Sequence, residues 1–165
     1  MRELIKLPNE LLRQKSEPVE TIDRGIKELA LEMVDFLRLH RGDATRPVGL
    51  SAVQLGELVR VIAFRGNPQS QEELRVQVLI NPEAVYLKGH QIVHESCLSI
   101  PGRTFTLRRA KLVKIKGLTL AGEMRSFRGR DILAQVFQHE IDHLDGVLID
   151  KLRKQQIERV NHGND

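Results

Sequence analysis

The stretch Q-H-E-I-D-H-L-D-G, Gln138 to Gly146, carries the chemistry of this chain and organises its fold. Read as an α-helix, it sets His139 and His143 four residues apart, projecting from one face a turn apart. Two imidazoles so placed can share one metal ion, with nitrogens about 2.0–2.1 Å from a zinc. Glu140 lies beside the first histidine. It is close enough to reach a water on such an ion without being a ligand, which is the H-E-x-x-H arrangement with the carboxylate as general base. The bland alternative is a polar helix face on which two histidines meet by coincidence. The neighbours weigh against it. Ile132, Leu133, Val136, Phe137, Ile141 and Leu144 give the helix a buried face, so the motif sits against a core. Burying a carboxylate and two imidazoles without partners is costly, and a metal removes that cost. The spacing predicts a helix over about Arg130 to Leu144, stopped by Gly146 where a left-handed residue is usual.

Outward from this helix, the pattern changes twice. From about Thr21 to His40, apolar residues at Ile22, Ile26, Leu29, Ala30, Met33, Val34 and Leu37 predict an amphipathic helix. Leu4–Leu12, with Pro8, reads as irregular, and Arg41–Pro47 as a polar loop. Leu58–Phe64, Arg75–Asn81, Ala84–His90, Gln91–Glu95 and Leu112–Leu118 are short, often β-branched runs. They are bounded by Gly66-Asn67-Pro68, Asn81-Pro82, Gly89, Pro101-Gly102 and Gly122, and read as strands. A short polar helix from Lys151 to about Val160 closes the chain. The expectation is one α+β domain over residues 1–165. Mostly antiparallel strands pack around a central helix carrying H-E-x-x-H, with an N-terminal helix and a short C-terminal helix.

Composition narrows the function classes. With 165 residues, 41% hydrophobic and 29% charged, the chain can bury a core, which excludes extended disorder. It has no run of ~18 apolar residues and so no expected membrane span. The start, MRELIKLPNELL, is charged throughout, unlike a secretory leader, and a cytoplasmic location is expected. A net charge of +4 favours polyanions, but one Tyr and no Trp give no support for sequence-specific nucleic-acid readout.

Two histidines do not complete a metal site, because a third protein ligand is usual. The candidates are Cys97, a glutamate, an aspartate or another histidine. A lone cysteine is often just a small buried hydrophobe. In the run H-E-S-C-L-S-I-P-G, His94 to Gly102, its thiolate would also be a strong ligand for a borderline metal.

Taken with a third stretch, these motifs resemble the peptide deformylase family, whose members remove the formyl group from the initiator methionine of new chains. The family pattern G-φ-G-φ-A-A-x-Q is matched by Pro47-Val48-Gly49-Leu50-Ser51-Ala52-Val53-Gln54. Its E-G-C-L-S is matched by Glu95-Ser96-Cys97-Leu98-Ser99, and its Q-H-E-x-D-H by Gln138 to His143. Order and separation agree over roughly residues 1 to 155. The resemblance implies Cys97, His139 and His143 as metal ligands, with water in the fourth place. It implies Glu140 as the base that takes a proton from that water and passes it to the leaving amine. It also implies Gln54 and the Leu98 backbone N–H as donors to the oxyanion. The substrate backbone would add as a strand beside Val48 and Gly49. Val48, Val93 and Val136 would line the methionine pocket, with Ser96 close by. Iron(II) is the common ion of the family, and zinc or nickel suits the same donors. The partner implied is an N-formylmethionyl peptide. Basic Lys151, Arg153, Lys154 and Arg159 at the chain end are either a solvated helix face or a contact with ribosomal RNA.

Pro47, Ser51 and Ser96 depart from the family pattern where two glycines and an alanine are usual, and Val53 fills the variable place. Ser96 would add a side chain beside the metal, and Pro47 removes a backbone donor. The family often carries an arginine soon after the cysteine motif. Thr104 falls at that place, next to Arg103. Two other readings are an enzyme acting on a different N-acyl group and a non-catalytic paralogue that binds peptide or ribosome. An intact Glu140 argues against the second, since binding alone needs no base.

Overall fold

The computed structural model describes residues 2–40, 48–66 and 75–162, with side chains to residue 158. The expected loop at Arg41–Pro47, the turn residues Asn67 and Pro68, and the side chain of Arg159 lie outside the described residues.

The architecture is α+β, with three helices and antiparallel sheets. Helix α1 (Arg24–Leu39) starts where Asp23, in an extended conformation, accepts a hydrogen bond from the Ile26 N–H at 2.9 Å. The start falls three residues after the expected Thr21 because that cap fixes it. Strands β1 (Val48–Ser51), β2 (Val61–Arg65), β3 (Val76–Lys88), β6 (Leu112–Leu118) and β7 (Met124–Arg130) form one sheet in the order β1-β2-β3-β6-β7. Strands β4 (Gln91–Cys97) and β5 (Ile100–Arg109) form a separate hairpin. Helices α2 (Ile132–Leu144) and α3 (Ile149–His162) follow. Among the described residues, no helix is long and apolar enough to cross a membrane.

Strand β2 is buried along its whole length because both faces of the sheet are covered. Successive side chains alternate sides. Val61 and Ala63 pack with Leu29, Met33, Phe36 and Leu37 of α1. Ile62 and Phe64 pack with Ala134, Phe137 and Leu144 of α2. Phe64 meets Phe137 edge-on at 4.9 Å between centroids, a favoured aromatic geometry. The hairpin has its own core, in which Val93, Cys97, Ile100 and Leu107 close on Leu12, Leu148 and Ile149.

Several expectations needed correction. Arg75–Asn81 and Ala84–His90 are not two strands but one, β3. Asn81, at φ 51°, makes a register shift instead of a turn. Its side-chain amide exchanges two hydrogen bonds with the Val19 backbone, at 2.8 and 2.9 Å, which holds the irregularity in place. β1, β5 and β7 were not expected as strands, and Pro101-Gly102 lies inside β5 instead of ending a run. Helix α2 begins at Ile132 because Arg130 still pairs in β7, opposite Leu112. The closing helix is 14 residues, longer than expected. Gly146 does terminate the α2 region with φ +69°, and a Cβ there would stand 2.5 Å from the Arg13 carbonyl oxygen.

Candidate metal centre

Helix α2 packs against β1, β2, β3, β5, β6 and β7. Its motif is anchored by Gln138, whose amide accepts from the Ala110 N–H at 2.9 Å and donates to the Ala110 carbonyl at 3.0 Å. With the helix so fixed, His139 and His143 face the inner side of hairpin β4-β5. On β4, alternation buries Val93, Glu95 and Cys97 together. Cys97 Sγ lies 3.3 Å from His143 Nε2, and His143 Nε2 lies 3.2 Å from His139 Nε2.

The three ligand atoms lie within 4.8 Å of one another. Around one tetrahedral ion with ordinary bond lengths, nitrogens stand about 3.3 Å apart and nitrogen and sulfur about 3.6 Å apart. The Cys97–His143 and His143–His139 separations match to a few tenths of an ångström. One thiolate and two imidazoles are a donor set for borderline divalent ions. The group Cys97, His139 and His143 therefore fits a metal site.

Behind the ligands runs a buried ionic network that the sequence reading did not contain. Glu95 Oε1 bonds His139 Nδ1, which turns Nε2 toward the ligand cluster. Arg109 grips both oxygens of Glu95, at 3.0 and 2.7 Å, and also bonds Asp142 Oδ2. Burial alone would raise the Glu95 carboxyl, but the His139 and Arg109 hydrogen bonds outweigh it and hold it at about 2. Glu95 and Asp142 offered a signal, as the acidic residues of two matched motifs. Arg109 lies outside all three motifs and outside the expected strands.

Glu140 sits against β1. A Cβ on Gly49 would lie 2.5 Å from its Oε1, so residue 49 can carry no side chain without displacing the carboxylate. Glu140 Oε2 is buried with no hydrogen-bond partner among the described residues. Burial pushes this carboxyl up to about 7, against the pull of His139.

Gln54 lies in the 3-10 turn Ala52–Leu55 that follows β1. Its Oε1 accepts from the Ser51 N–H at 3.0 Å, and its Nε2 donates to Ser99 Oγ at 3.2 Å and faces Cys97 Sγ at 3.9 Å. The irregular N-terminal segment supports this corner, because the Ile5 N–H bonds the Gln54 carbonyl and the Leu7 N–H bonds the Ser99 carbonyl. Leu98 occupies the two-residue turn between β4 and β5, with its side chain exposed.

The residues expected to bind substrate fall at different distances from this centre. Val48 and Gly49 are on β1, the edge strand of the five-stranded sheet. Val136 is one turn before Glu140 on α2 and partly buried, and Val93 packs in the hairpin core with Cys97. Ser96 points to the exposed face of the hairpin, opposite to Cys97, and bonds the Thr104 hydroxyl at 2.9 Å. Its side chain therefore does not crowd the ligands. Thr104 pairs with Ser96, and Arg103 lies over the Phe105 ring at 4.9 Å.

A family model described as polypeptide deformylase matches residues 1–158. The chain is 38% identical over 151 residues to a peptide deformylase of Dictyoglomus thermophilum, covering 90% of each chain. It is 39% identical to one of Syntrophomonas wolfei, covering 96% of this chain and 97% of that one. A crystal structure of a peptide deformylase from Legionella pneumophila superposes with a TM-score of 0.80 at 31% identity, covering 98% of both chains. A Met-Ala-Ser-bound class I type b peptide deformylase from Acinetobacter baumannii superposes with a TM-score of 0.79 at 30% identity, covering 92% and 98%.

Proposed function

Because the chain belongs to the polypeptide deformylase family and is a metal-dependent hydrolase removing the N-formyl group from nascent peptides, we propose the following division of labour at its site. Cys97, His139 and His143 hold one divalent ion, for which iron(II) is the proposed occupant; zinc and nickel suit the same donors. When bound, that ion acts as a Lewis acid toward the formyl oxygen and makes water more acidic. Glu140 takes a proton from the attacking water. The oxygen adds to the formyl carbon, the C–N bond breaks, and Glu140 gives the proton to the departing amine. Formate and a free amino terminus result. Gln54 Nε2 and the Leu98 N–H donate to the oxygen as charge develops on it.

The observation that carries this reading is the placement of the Glu140 carboxylate. It has a buried oxygen with no hydrogen-bond partner among the described residues and sits one residue from a ligand, on the helix that supplies two of the three. A general base needs such a free lone pair.

The substrate is read as an added strand along the free edge of β1 at Val48 and Gly49, with its methionine toward Val136 and Val93. The outer edge of β1, which pairs with no other strand among the described residues, and the Met-Ala-Ser complex of the Acinetobacter relative support this. In this reading residues 1–165 form one catalytic domain around α2 as its central helix. It works in the cytoplasm, where nascent chains emerge. Exposed Lys151 and Lys154 on α3 support an electrostatic contact with ribosomal RNA. Cosedimentation with ribosomes should then fall as salt is added, and salt-independent cosedimentation would remove that contact.

The test of the activity is formate release from formyl-Met-Ala-Ser by protein loaded anaerobically with iron(II) or with nickel. No formate above a protein-free control, with another N-acyl peptide cleaved, would transfer the reading to that other substrate class.

A further inference from the structure

Ser51 closes β1, and its side chain is fully buried (0% exposed), yet the chemistry above gives it no part. Its backbone N–H and its hydroxyl aim at the same atom, Gln54 Oε1, at 3.0 and 3.1 Å. At the other end of that amide, Nε2 donates to Ser99 Oγ at 3.2 Å. The Ser99 hydroxyl gives its own proton to the Ile5 carbonyl at 2.9 Å, so toward Gln54 it acts as acceptor. The amide is therefore pinned at both ends. Rotated by half a turn, it would set its NH2 against the Ser51 backbone N–H and its oxygen against the Cys97 sulfur. The Glu140 carboxylate is a second acceptor within reach of the Ser51 hydroxyl. Ser51 thus stands between the proposed base and the proposed oxyanion donor.

We propose that Ser51 is a positioning residue for this reaction, its hydroxyl holding the Gln54 amide with an N–H directed at the reacting carbonyl oxygen. The proposal rests on Gln54 being the oxyanion donor. A donor already aimed at the developing charge costs no reorganisation at the moment of reaction. Its benefit is greatest in the transition state, so it belongs in kcat and not in KM.

The test is Ser51→Ala, which deletes one oxygen and leaves the Ser51 N–H bond in place. Loss of one hydrogen bond of ordinary worth predicts a fall in kcat of about five-fold for formyl-Met-Ala-Ser, with KM and metal content unchanged. A second readout needs no turnover. The Gln54 side-chain amide resonances, assigned by their loss in Gln54→Ala, shift and exchange faster with solvent in Ser51→Ala, while the circular dichroism stays that of the wild type. In a Gln54→Ala background, adding Ser51→Ala lowers kcat no further. An unchanged kcat in Ser51→Ala, or an equal fall in both backgrounds, overturns the proposal. If Gln54→Ala alone leaves kcat intact, the premise about Gln54 fails first and takes the proposal with it.

Discussion

Gly49 and Glu140 are in contact so close that no side chain fits between them: a Cβ on residue 49 would stand 2.5 Å from Glu140 Oε1 and 2.6 Å from Cγ. The glycine of β1 is thus the floor on which the proposed base rests. Gly49→Ala is expected to push the carboxylate off its position. A displacement near 1 Å costs about 10²-fold in rate. Steady-state kinetics should show kcat down by about that factor, with metal content intact because all three ligands are untouched. A variant with wild-type kcat would mean that Glu140 is free to move without consequence.

Gln54→Ala removes the proposed side-chain donor to the oxyanion. The expected fall in kcat is about 10²–10³-fold. KM should change little, since the ground-state carbonyl carries little charge. A rise in KM at constant kcat would instead make Gln54 a simple binding contact.

Arg109 is 4% exposed, and its two carboxylate partners are both held by it: Glu95 is 2% exposed and Asp142 is partly buried. Arg109→Met leaves Glu95 without its guanidinium in the interior. Breaking a buried pair in this way costs about 3–5 kcal/mol, measurable as a lower midpoint in urea. The companion change Glu95→Gln in the same chain should recover part of the loss. No loss in Arg109→Met would contradict the burial of the network.

The Arg13–Asp150 pair, at 2.8 Å, ties the first 3-10 turn, Glu10–Arg13, to α3. The Arg13 hydrogen bond holds the Asp150 carboxyl below its ordinary value of 3.8. A lowered folded value gives stability that is full above the unfolded value and lost as pH falls through the folded one. The wild type should therefore exceed Asp150→Asn by up to about 1 kcal/mol at neutral pH. The difference should shrink below about pH 4. Chemical denaturation at pH 7 and pH 3 checks this, and a gap that widens in acid would reverse the sign.

The α2 helix and its two histidines were legible because helical spacing and an apolar face are local signals, and β6 was read at its true limits, Leu112–Leu118. The convergence of Cys97 was not legible from spacing. It depends on the hairpin folding over α2, and only the motif resemblance supplied it. β7, Met124–Arg130, carries three arginines and a glycine and so looks like no strand, yet it pairs with β6 along its whole length. There Gly129 is the close contact of the sheet with α2, since a Cβ would meet Phe137 at 2.8 Å. Asn81-Pro82 read as a turn because the side-chain bonds of Asn81 to Val19, 62 positions away, are invisible in sequence. Arg109 was missed for the same reason: its partners Glu95 and Asp142 are 14 and 33 positions away.

The central claim is that Cys97, His139 and His143 hold the ion while Glu140 moves the proton. Glu140→Ala separates the two functions. Metal per chain and formate release from formyl-Met-Ala-Ser should be measured on the same iron-loaded or nickel-loaded sample. The expected result is one metal per chain, as in the wild type, and no detectable formate. Formate release at the wild-type rate, or loss of the metal with Cys97, His139 and His143 all intact, would contradict it.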